Sequence, residues 1–537
     1  MIAWALWLAC TGGSVTVPSD ADTAPPDDTA PDPTTPATTP PIDTAETGTE
    51  SPEDTGSTDV IDVPDGCRPG GEAFGVEGQL LTLSVQCTQD PVEATLSVAD
   101  LPDGATWDDA TQTLQWTPRV DQAGKYVVEV TAITAEGPEF GEAVVWVADN
   151  WRADDNVPVD PLVYEEEYGL PVVHLERPPS TNSSDYVDST FVYRGHTFDI
   201  EVKYRGAASL GYPKNSYTVK FPSDDEFEDD DFDFPKRRRI VLTTTFDDNS
   251  YVRQRMCYDI WNLLDPTHHA VETMHAVVYI NGNYEGLYLL GDHIDGEYWE
   301  DYGYWEDGNL YKAVNHDANF YGKSNLAAGY EKKEGLLMSG ANAYLDLEEF
   351  VGFAAYSDDA TFRKELATHI DVAEVHDWWA LVRFTEAGDS AGKNSYLYNN
   401  PELPMWHYAP WDFNHSLGQS WQTLRIDAES GSEFTGSNNL FNRMLDDPLM
   451  AEPMLARWRS HLDGPIHVDA MLALLDDYYA EVDPSAARDW DKWASSYQSY
   501  SGWSWRSDWT TYEEEVVYLR EWVADRWTYL DGLYPPP

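Results

Sequence analysis

The stretch "DSAGKNSYLYNNPELPMWHYAPWDFNHSLG", residues 389 to 418, holds an Asp, then an Asn, then a second Asp inside Trp-Asp-Phe-Asn. Singly, Asp389, Asn394 and Asp412 are ordinary residues, and it is their spacing that needs a reason. A phosphoryl-transfer site requires one carboxylate to orient an attacking hydroxyl and take its proton. It also requires hard oxygen ligands, such as an amide oxygen and a second carboxylate, to hold Mg2+ against nucleotide phosphates. D-x-x-x-x-N by itself recurs by chance in an acidic chain, where the plain reading is a polar turn plus an aspartate capping a loop.

Other residues invite chemistry less well. Gly322-Lys323-Ser324 suggests a P-loop, but Asp317 stands where that loop needs Gly and no apolar strand precedes it. His268, His269 and His275 suggest zinc; with no Cys partner and no H-E-x-x-H spacing, ordinary histidines are favoured. "SDDEFEDDDFDFPKRRR" sets an acidic run against Lys236 to Arg239. It reads as a solvated insertion folding over its own charges, with docking of a charged substrate segment as the alternative.

The elements that must position Asp389, Asn394 and Asp412 are visible as patterns. "SYLYNN" and "MWHYAP" read as the two strands of a hairpin, which brings Asn394 near Asp412. "HTFDIEVKYRGAASLGYPKNSYTVKF" reads as two strands joined by a polar turn. In its second strand Tyr217, Val219 and Phe221 face a core while Ser216, Thr218 and Lys220 face away. "DDNSYVRQRMCYDIWNLL" has helical period, with Val252, Met256, Ile260 and Leu263 on one side and Cys257 a buried free thiol. "MHAVVYINGNYEGLYLLGDHID" is a hairpin with Asn281-Gly282-Asn283 at its tip. After residue 420 the pattern is mostly helical. The last helix opens with a Thr510-x-x-Glu513 capping box and buries Val516, Leu519, Val523, Trp527 and Leu530.

The whole chain has 537 residues, 42% of them hydrophobic, enough for several cores and too long for one. A net charge of −63 repels phosphate backbones and argues against nucleic acid as a partner. No apolar run is long enough for a transmembrane helix. Residues 1–10, "MIAWALWLAC", look like the end of a lipoprotein signal with Cys10 the lipidated residue, so the chain is expected to be exported, to the outer cell surface or the periplasm, and lipid-anchored. Residues 11–66 are Thr, Pro, Asp, Ser and Glu with almost nothing to bury, which predicts a disordered acidic linker. Residues 67–150 carry short alternating strands between Gly/Asp/Pro turns, the pattern of a β-sandwich. "LPDGATWDDATQTLQWTPRVDQAGKYVVEVTA" resembles the cadherin-like or Ig-like repeats of bacterial surface proteins, which act as spacers. In an exported sandwich we expect Cys67 and Cys87 to be bridged.

Five segments stand in order along the rest of the chain: "YRGAASLGYPKNSYTVKF", "NSYVRQRMCYDIW", "YINGNYEGLYLLGDHID", "GNLYK" and "NSYLYNNPELPMWHYAPWDFNHSLG". Protein kinases place H-R-D-x-x-x-x-N, two strands and D-F-G in the same order; here Ala387-Gly388 replaces His-Arg and Asn414 replaces the last Gly. Together the segments resemble the CotH kinase family, atypical protein kinases first met in spore coats. The resemblance runs from Arg205 to Gly418, and the remainder to residue 537 fits the family's C-terminal half.

The resemblance implies a multidomain chain. An all-β Ig/cadherin-like sandwich precedes an α+β atypical protein-kinase-like domain at 158–537, strand-rich over 158–315, with the catalytic segment at 375–420 and a helical C-terminal part at 421–537. It implies transfer of the γ-phosphate of ATP to Ser or Thr of a partner protein on the cell surface, with Mg2+ or Mn2+. Asp389 matches the family's catalytic aspartate, Asp412 its metal-binding aspartate, and Asn394 the asparagine between them, a second metal ligand. Arg205, Lys214 and Lys220 are the candidates for nucleotide phosphate contact, Lys214 first among them, and Lys312 is a further one. The signature G-x-G-x-x-G loop is absent, leaving Gly206 and Gly211 to stand in, and Asp292 occupies a place where family members often carry Glu. The rival from another class is a surface binding or structural protein that keeps the fold without catalysis; a second enzymatic reading is transfer of AMP or phosphate to a small molecule or glycan.

Overall fold

The computed structural model describes residues 67–87, 94–176, 185–340, 342–429, 431 and 433–534. Cys10, the signal at 1–10 and the linker at 11–66 lie outside the described residues.

The alternating strands of the first region form two sheets. One runs Gln86–Cys87, Pro69–Val76, Gly137–Ala148, Gly124–Thr134, Thr95–Ala99; the other pairs Leu81–Ser84, Thr113–Trp116 and Thr106–Asp108. Inward residues of both sheets, among them Leu83, Leu114, Trp116, Val128, Val130 and Val145, make one core. Cys67 and Cys87 are bridged, and Cys257 is a buried free thiol. The sandwich is not a detached bead. Tyr168 donates from its hydroxyl to Gly75 O at 2.8 Å, and Arg488 of a C-terminal helix donates to Asp149 O at 2.6 Å.

Beyond it, eight strands pair in one sheet: Val187–Tyr193, His196–Arg205, Ser216–Lys220, Arg239–Thr244, Asn283–Asp292, Thr273–Ile280, Leu170–Glu176 and Glu166–Glu167. Leu170–Glu176 also pairs with Val187–Tyr193, so seven of the strands close into a barrel. Tyr217, Val219 and Phe221 point into its interior with Phe191, Ile200, Leu242 and Tyr288. Ser216 and Thr218, expected to face away, are buried as well, because the outer face is covered. The Arg253–Leu264 helix lies in that cover, buried nearly all round; Leu264 is buried and Leu263 exposed, a shift of one position from the expected stripe. Asn281 and Gly282, both at positive φ, make the two-residue turn between Thr273–Ile280 and Asn283–Asp292.

A second sheet of four strands, Tyr330–Glu334, Asn309–Ala313, Ser395–Asn399 and Trp406–Pro410, carries the candidate site at one end, backed by the Val372–Thr385 helix. The chain after residue 420 is helical: Asn439–Asp446, Pro448–Asp463, Val468–Ser499 and Tyr512–Leu533. The last of these is capped by a box of Thr511 and Glu514, one residue later than the pattern predicts, because Thr510 Oγ1 donates instead to Glu515 at 2.9 Å. Its buried face is Tyr512, Glu515, Leu519, Trp522, Val523, Arg526 and Leu530, with Val516 and Trp527 only partly covered.

Candidate active site

The Val372–Thr385 helix stops where Glu386 turns left-handed, at φ 55°, and a single tight turn, Gly388–Ala391, follows with Asp389 on it. Two side chains hold that turn by its carbonyls. Trp378 Nε1 donates to Ser390 O and Asn438 Nδ2 to Ala391 O, each at 2.8 Å. Gly392 passes so close to its neighbours that a Cβ there would sit 2.6 Å from the carbonyl oxygens of Ala318 and Ser437.

Asn394 comes next, at φ 56°, its N–H donating to Ala313 O at 3.1 Å. The two expected strands then form the hairpin, with Ser395 opposite Pro410, and return the chain to Asp412, at φ 62°. Asn394 Nδ2 donates to Asp412 O at 3.3 Å, and Tyr258 Oη accepts from Asp412 N at 3.2 Å. Two non-glycine residues in the left-handed region, side by side, are uncommon and mark a held geometry. The Asn394 amide nitrogen faces the protein, which leaves its oxygen as the end for a cation. The Asp412 side chain is exposed.

Asp389 is a quarter exposed and is not alone: Lys393 Nζ lies 2.8 Å from its Oδ2 and His316 Nε2 3.5 Å from its Oδ1. Cations also gather at Trp411, the residue before Asp412. The Arg205 guanidinium stacks 4.3 Å over the ring of Trp411, and Lys312 Nζ lies 5.7 Å from the same ring. Both are half-buried. Thus Arg205 and Lys312 stand against the residue that precedes the candidate metal ligand.

Lys214 does not. It is fully buried, and its three N–H donors go to Thr245 Oγ1 at 3.0 Å, Leu287 O at 2.6 Å and the carboxylate of Asp489. Burial lowers its pKa against the pull of Asp489. A lysine with every donor consumed inside the fold has none left for phosphate, so the expected nucleotide contact becomes a structural ion pair. Lys220 pairs with Glu201, its direct neighbour on the adjacent strand, at 2.9 Å and lies 5.9 Å from the Tyr186 ring; among the described residues no contact brings it to Asp389 or Asp412.

Asp247 organises the far side of the site. Its buried Oδ2 accepts from Tyr212 Oη at 3.0 Å, Asn414 Nδ2 at 2.6 Å and His415 Nε2 at 3.2 Å. It thereby ties the turn after Gly206 and Gly211 to the residues after Asp412. Burial alone would lower the His415 pKa; the bond and charge of Asp247, with the charges of Asp412 and Asp389, reverse this and raise it. One imidazole therefore senses both candidate aspartates.

The sequence signal for Lys393 and His415 is their place beside the motif, one next to Asn394 and the other in "DFNHS". Asp247 left no signal, being one acid in an acidic chain. Asp292 is a structural residue: it accepts from Arg237 Nε at 2.6 Å and from Glu272 N at 2.9 Å. The basic tetrad folds back toward the acidic run as expected, Phe227–Asp229 pairing with Phe234–Arg237, but its arginine side chains find their partners elsewhere. Arg237 also meets Asp301, Arg238 meets Glu297 and Arg239 meets Asp295, leaving only Lys236 paired to Glu226. These residues line a cavity of about 270 Å³.

A family model described as "CotH kinase protein" matches residues 202–530, and one described as "Putative Ig domain" matches residues 69–147. No protein of curated function matches the chain. Among solved structures, an Ig complex of titin M10 and obscurin-like 1 is 20% identical, covering 16% of this chain and 90% of that one, at a TM-score of 0.11. A SusE-like surface-located polysaccharide-binding protein of Bacteroides thetaiotaomicron is 9% identical over 29% of this chain and 31% of its own, at a TM-score of 0.13. An endo-fucoidan hydrolase of glycoside hydrolase family 107 is 16% identical over 28% and 30%, at a TM-score of 0.13. The chain thus spans about a third of the latter two, and TM-scores this low establish no shared fold.

Proposed function

Because the chain belongs to the CotH kinase family, we propose that its second region transfers the γ-phosphate of ATP to a Ser or Thr hydroxyl of a partner protein. What supports this reading is the bond between Asn394 and Asp412 at the end of one hairpin, with Asp389 on the turn just before it, His415 facing the charge of both aspartates, and Arg205 and Lys312 at the neighbouring Trp411. The exposed carboxylate of Asp412 and the amide oxygen of Asn394 are hard donors, so the residues fit Mg2+ or Mn2+. When bound, that ion would neutralise phosphate charge.

The remaining work falls to the chain itself. Arg205 and Lys312 offer positive charge to the nucleotide phosphates. Lys393 fixes one oxygen of Asp389, and the other, 3.5 Å from the exposed His316 imidazole, is the one for the acceptor hydroxyl. As the hydroxyl oxygen bonds to the γ-phosphorus, the bond to the β,γ-bridging oxygen breaks and Asp389 takes the hydroxyl proton. We further propose that the protein works at the cell surface, where the acceptor is a surface protein.

The test is a pair of nearly isosteric variants of the full chain. Asp389→Asn should lower turnover by about two to four orders of magnitude, the usual worth of a positioned general base, while ATP binding survives. Asp412→Asn should weaken Mg2+-dependent ATP binding along with turnover. Equal ATP affinity in Mg2+ and in chelator, or transfer that persists in both variants, overturns the assignment. A wild type that binds a partner protein without ever transferring phosphate is a non-catalytic member of the family.

A further inference from the structure

Glu374 lies in the first turn of the Val372–Thr385 helix. Its Oε1 is 3.3 Å from His269 Nδ1 and 3.1 Å from His407 Nδ1. The three atoms lie within 4.8 Å of one another, and each residue is more than nine-tenths buried. His269 Nδ1 has no hydrogen-bond partner despite its distance from the carboxylate. Two polar atoms this close and not bonded are misaligned for a hydrogen bond. Native proteins rarely leave a buried polar atom so, and each such atom asks for an explanation.

A comparison on the same helix sharpens the point. Asp377, three residues on, is also buried between two histidines, His268 at 3.1 Å and His461 at 2.7 Å. Arg457 supplies it with a guanidinium through two nitrogens. Glu374 has no such cation: among the described residues no Arg or Lys pairs with it. A buried carboxylate needs a compensating charge.

We propose that His269, Glu374 and His407 hold a divalent transition metal of the zinc class, at a site separate from the nucleotide site. Two imidazole nitrogens and a carboxylate oxygen suit that ion. Ligands at ~2.0–2.1 Å from a tetrahedral zinc sit about 3.3 Å apart, close to the 3.3 and 3.1 Å of the two Glu374 contacts, and within the 4.8 Å cluster the imidazoles would draw together on binding. The outer contacts are those that orient metal ligands: His269 Nε2 meets Tyr304 Oη at 3.1 Å, and Glu374 Oε2 accepts from Tyr408 N at 2.9 Å. Trp299, Tyr302 and Tyr304 pack their rings around His269 and keep water out. The role is structural. The ion would tie the loop after the Arg253–Leu264 helix to the helix before Asp389 and to the strand before Asp412.

The full chain, purified from zinc-supplemented medium and dialysed into metal-free buffer, should retain equimolar zinc by elemental mass spectrometry. Exchange for Co2+ should give the visible absorption of a tetrahedral site. Glu374→Gln and His407→Ala should lose the metal, and Asp412→Asn should keep it, which separates this site from the nucleotide site. Folded wild type that holds neither Zn2+ nor Co2+, with the same Tm in zinc and in chelator, overturns the proposal; Glu374 is then compensated by protonated imidazole. Metal retained by both Glu374→Gln and His407→Ala overturns it equally. Should either variant fail to fold, the wild-type cobalt spectrum and metal content decide.

Discussion

Lys214 and Asp489 are 275 positions apart in the chain, and both are buried. Removing one partner of such a pair leaves the other charge stranded, at a cost of about 3–5 kcal/mol. Lys214→Met should therefore lower unfolding stability by about that much in a denaturant titration, with the ATP affinity of the folded fraction unchanged. Arg205→Ala and Lys312→Ala should show the opposite pattern, weaker nucleotide binding with stability changed by about 0.5 kcal/mol or less. The sequence could not sort these three cations. What separates Lys214 from the others is Asp489, on a helix whose placement no local pattern reveals. Asp389, Asn394 and Asp412 were legible because their spacing is local and needs only a hairpin to close it. His415 gives a pH test. Its pKa is raised in the folded chain, so its contribution to stability is complete below the unfolded value of about 6.5 and is lost as pH rises through the folded value. Unfolding free energies taken from about pH 6 to about pH 9 should fall with a component that His415→Gln removes.

The turn Gly388–Ala391 depends on packing more than on its own sequence. Gly392 is the position to probe, since an added Cβ meets two carbonyl oxygens at 2.6 Å and neither backbone is free to yield. Gly392→Ala should cost about 1–3 kcal/mol and shift Asp389, so that turnover falls more than ATP affinity does. A variant as active and stable as wild type would show the turn to be looser than its contacts imply. Strands were readable wherever apolar and polar residues alternate, as in Leu81–Ser84 and Gly124–Thr134. The closing of the barrel was not. It rests on the pairing of Leu170–Glu176 with Val187–Tyr193 on one side and, in parallel, with Thr273–Ile280 on the other. The parallel partner lies about a hundred residues away, beyond the reach of turn chemistry. The cap of the last helix moved by one residue for a simpler reason: Thr510 and Thr511 are both good caps, and Glu515 claimed the first.

At the scale of the molecule, the sandwich and the family domain share contacts while keeping separate cores. Opening the Cys67–Cys87 bridge releases a 20-residue cross-link, worth about 3 kcal/mol in the entropy of the unfolded chain. Mild reduction should lower the thermal transition of the sandwich and leave ATP binding intact. Cys257 should resist alkylation in the same sample, because burial pushes its thiol up to about 12. One contact reaches further than any of these. The buried guanidinium of Arg253 joins Asp248 at 2.6 Å, Leu417 O at 3.3 Å, just past Asp412, and Glu515 near the start of the last helix. During synthesis the barrel and the hairpin emerge long before residue 515 does. Until it emerges Arg253 has only one of its two buried carboxylate partners, Asp248, and the network that holds the loop after Asp412 is incomplete. The nascent chain should thus acquire ATP binding late and in one step, and ribosome-stalled chains ending before residue 515 should fold their strands without gaining it.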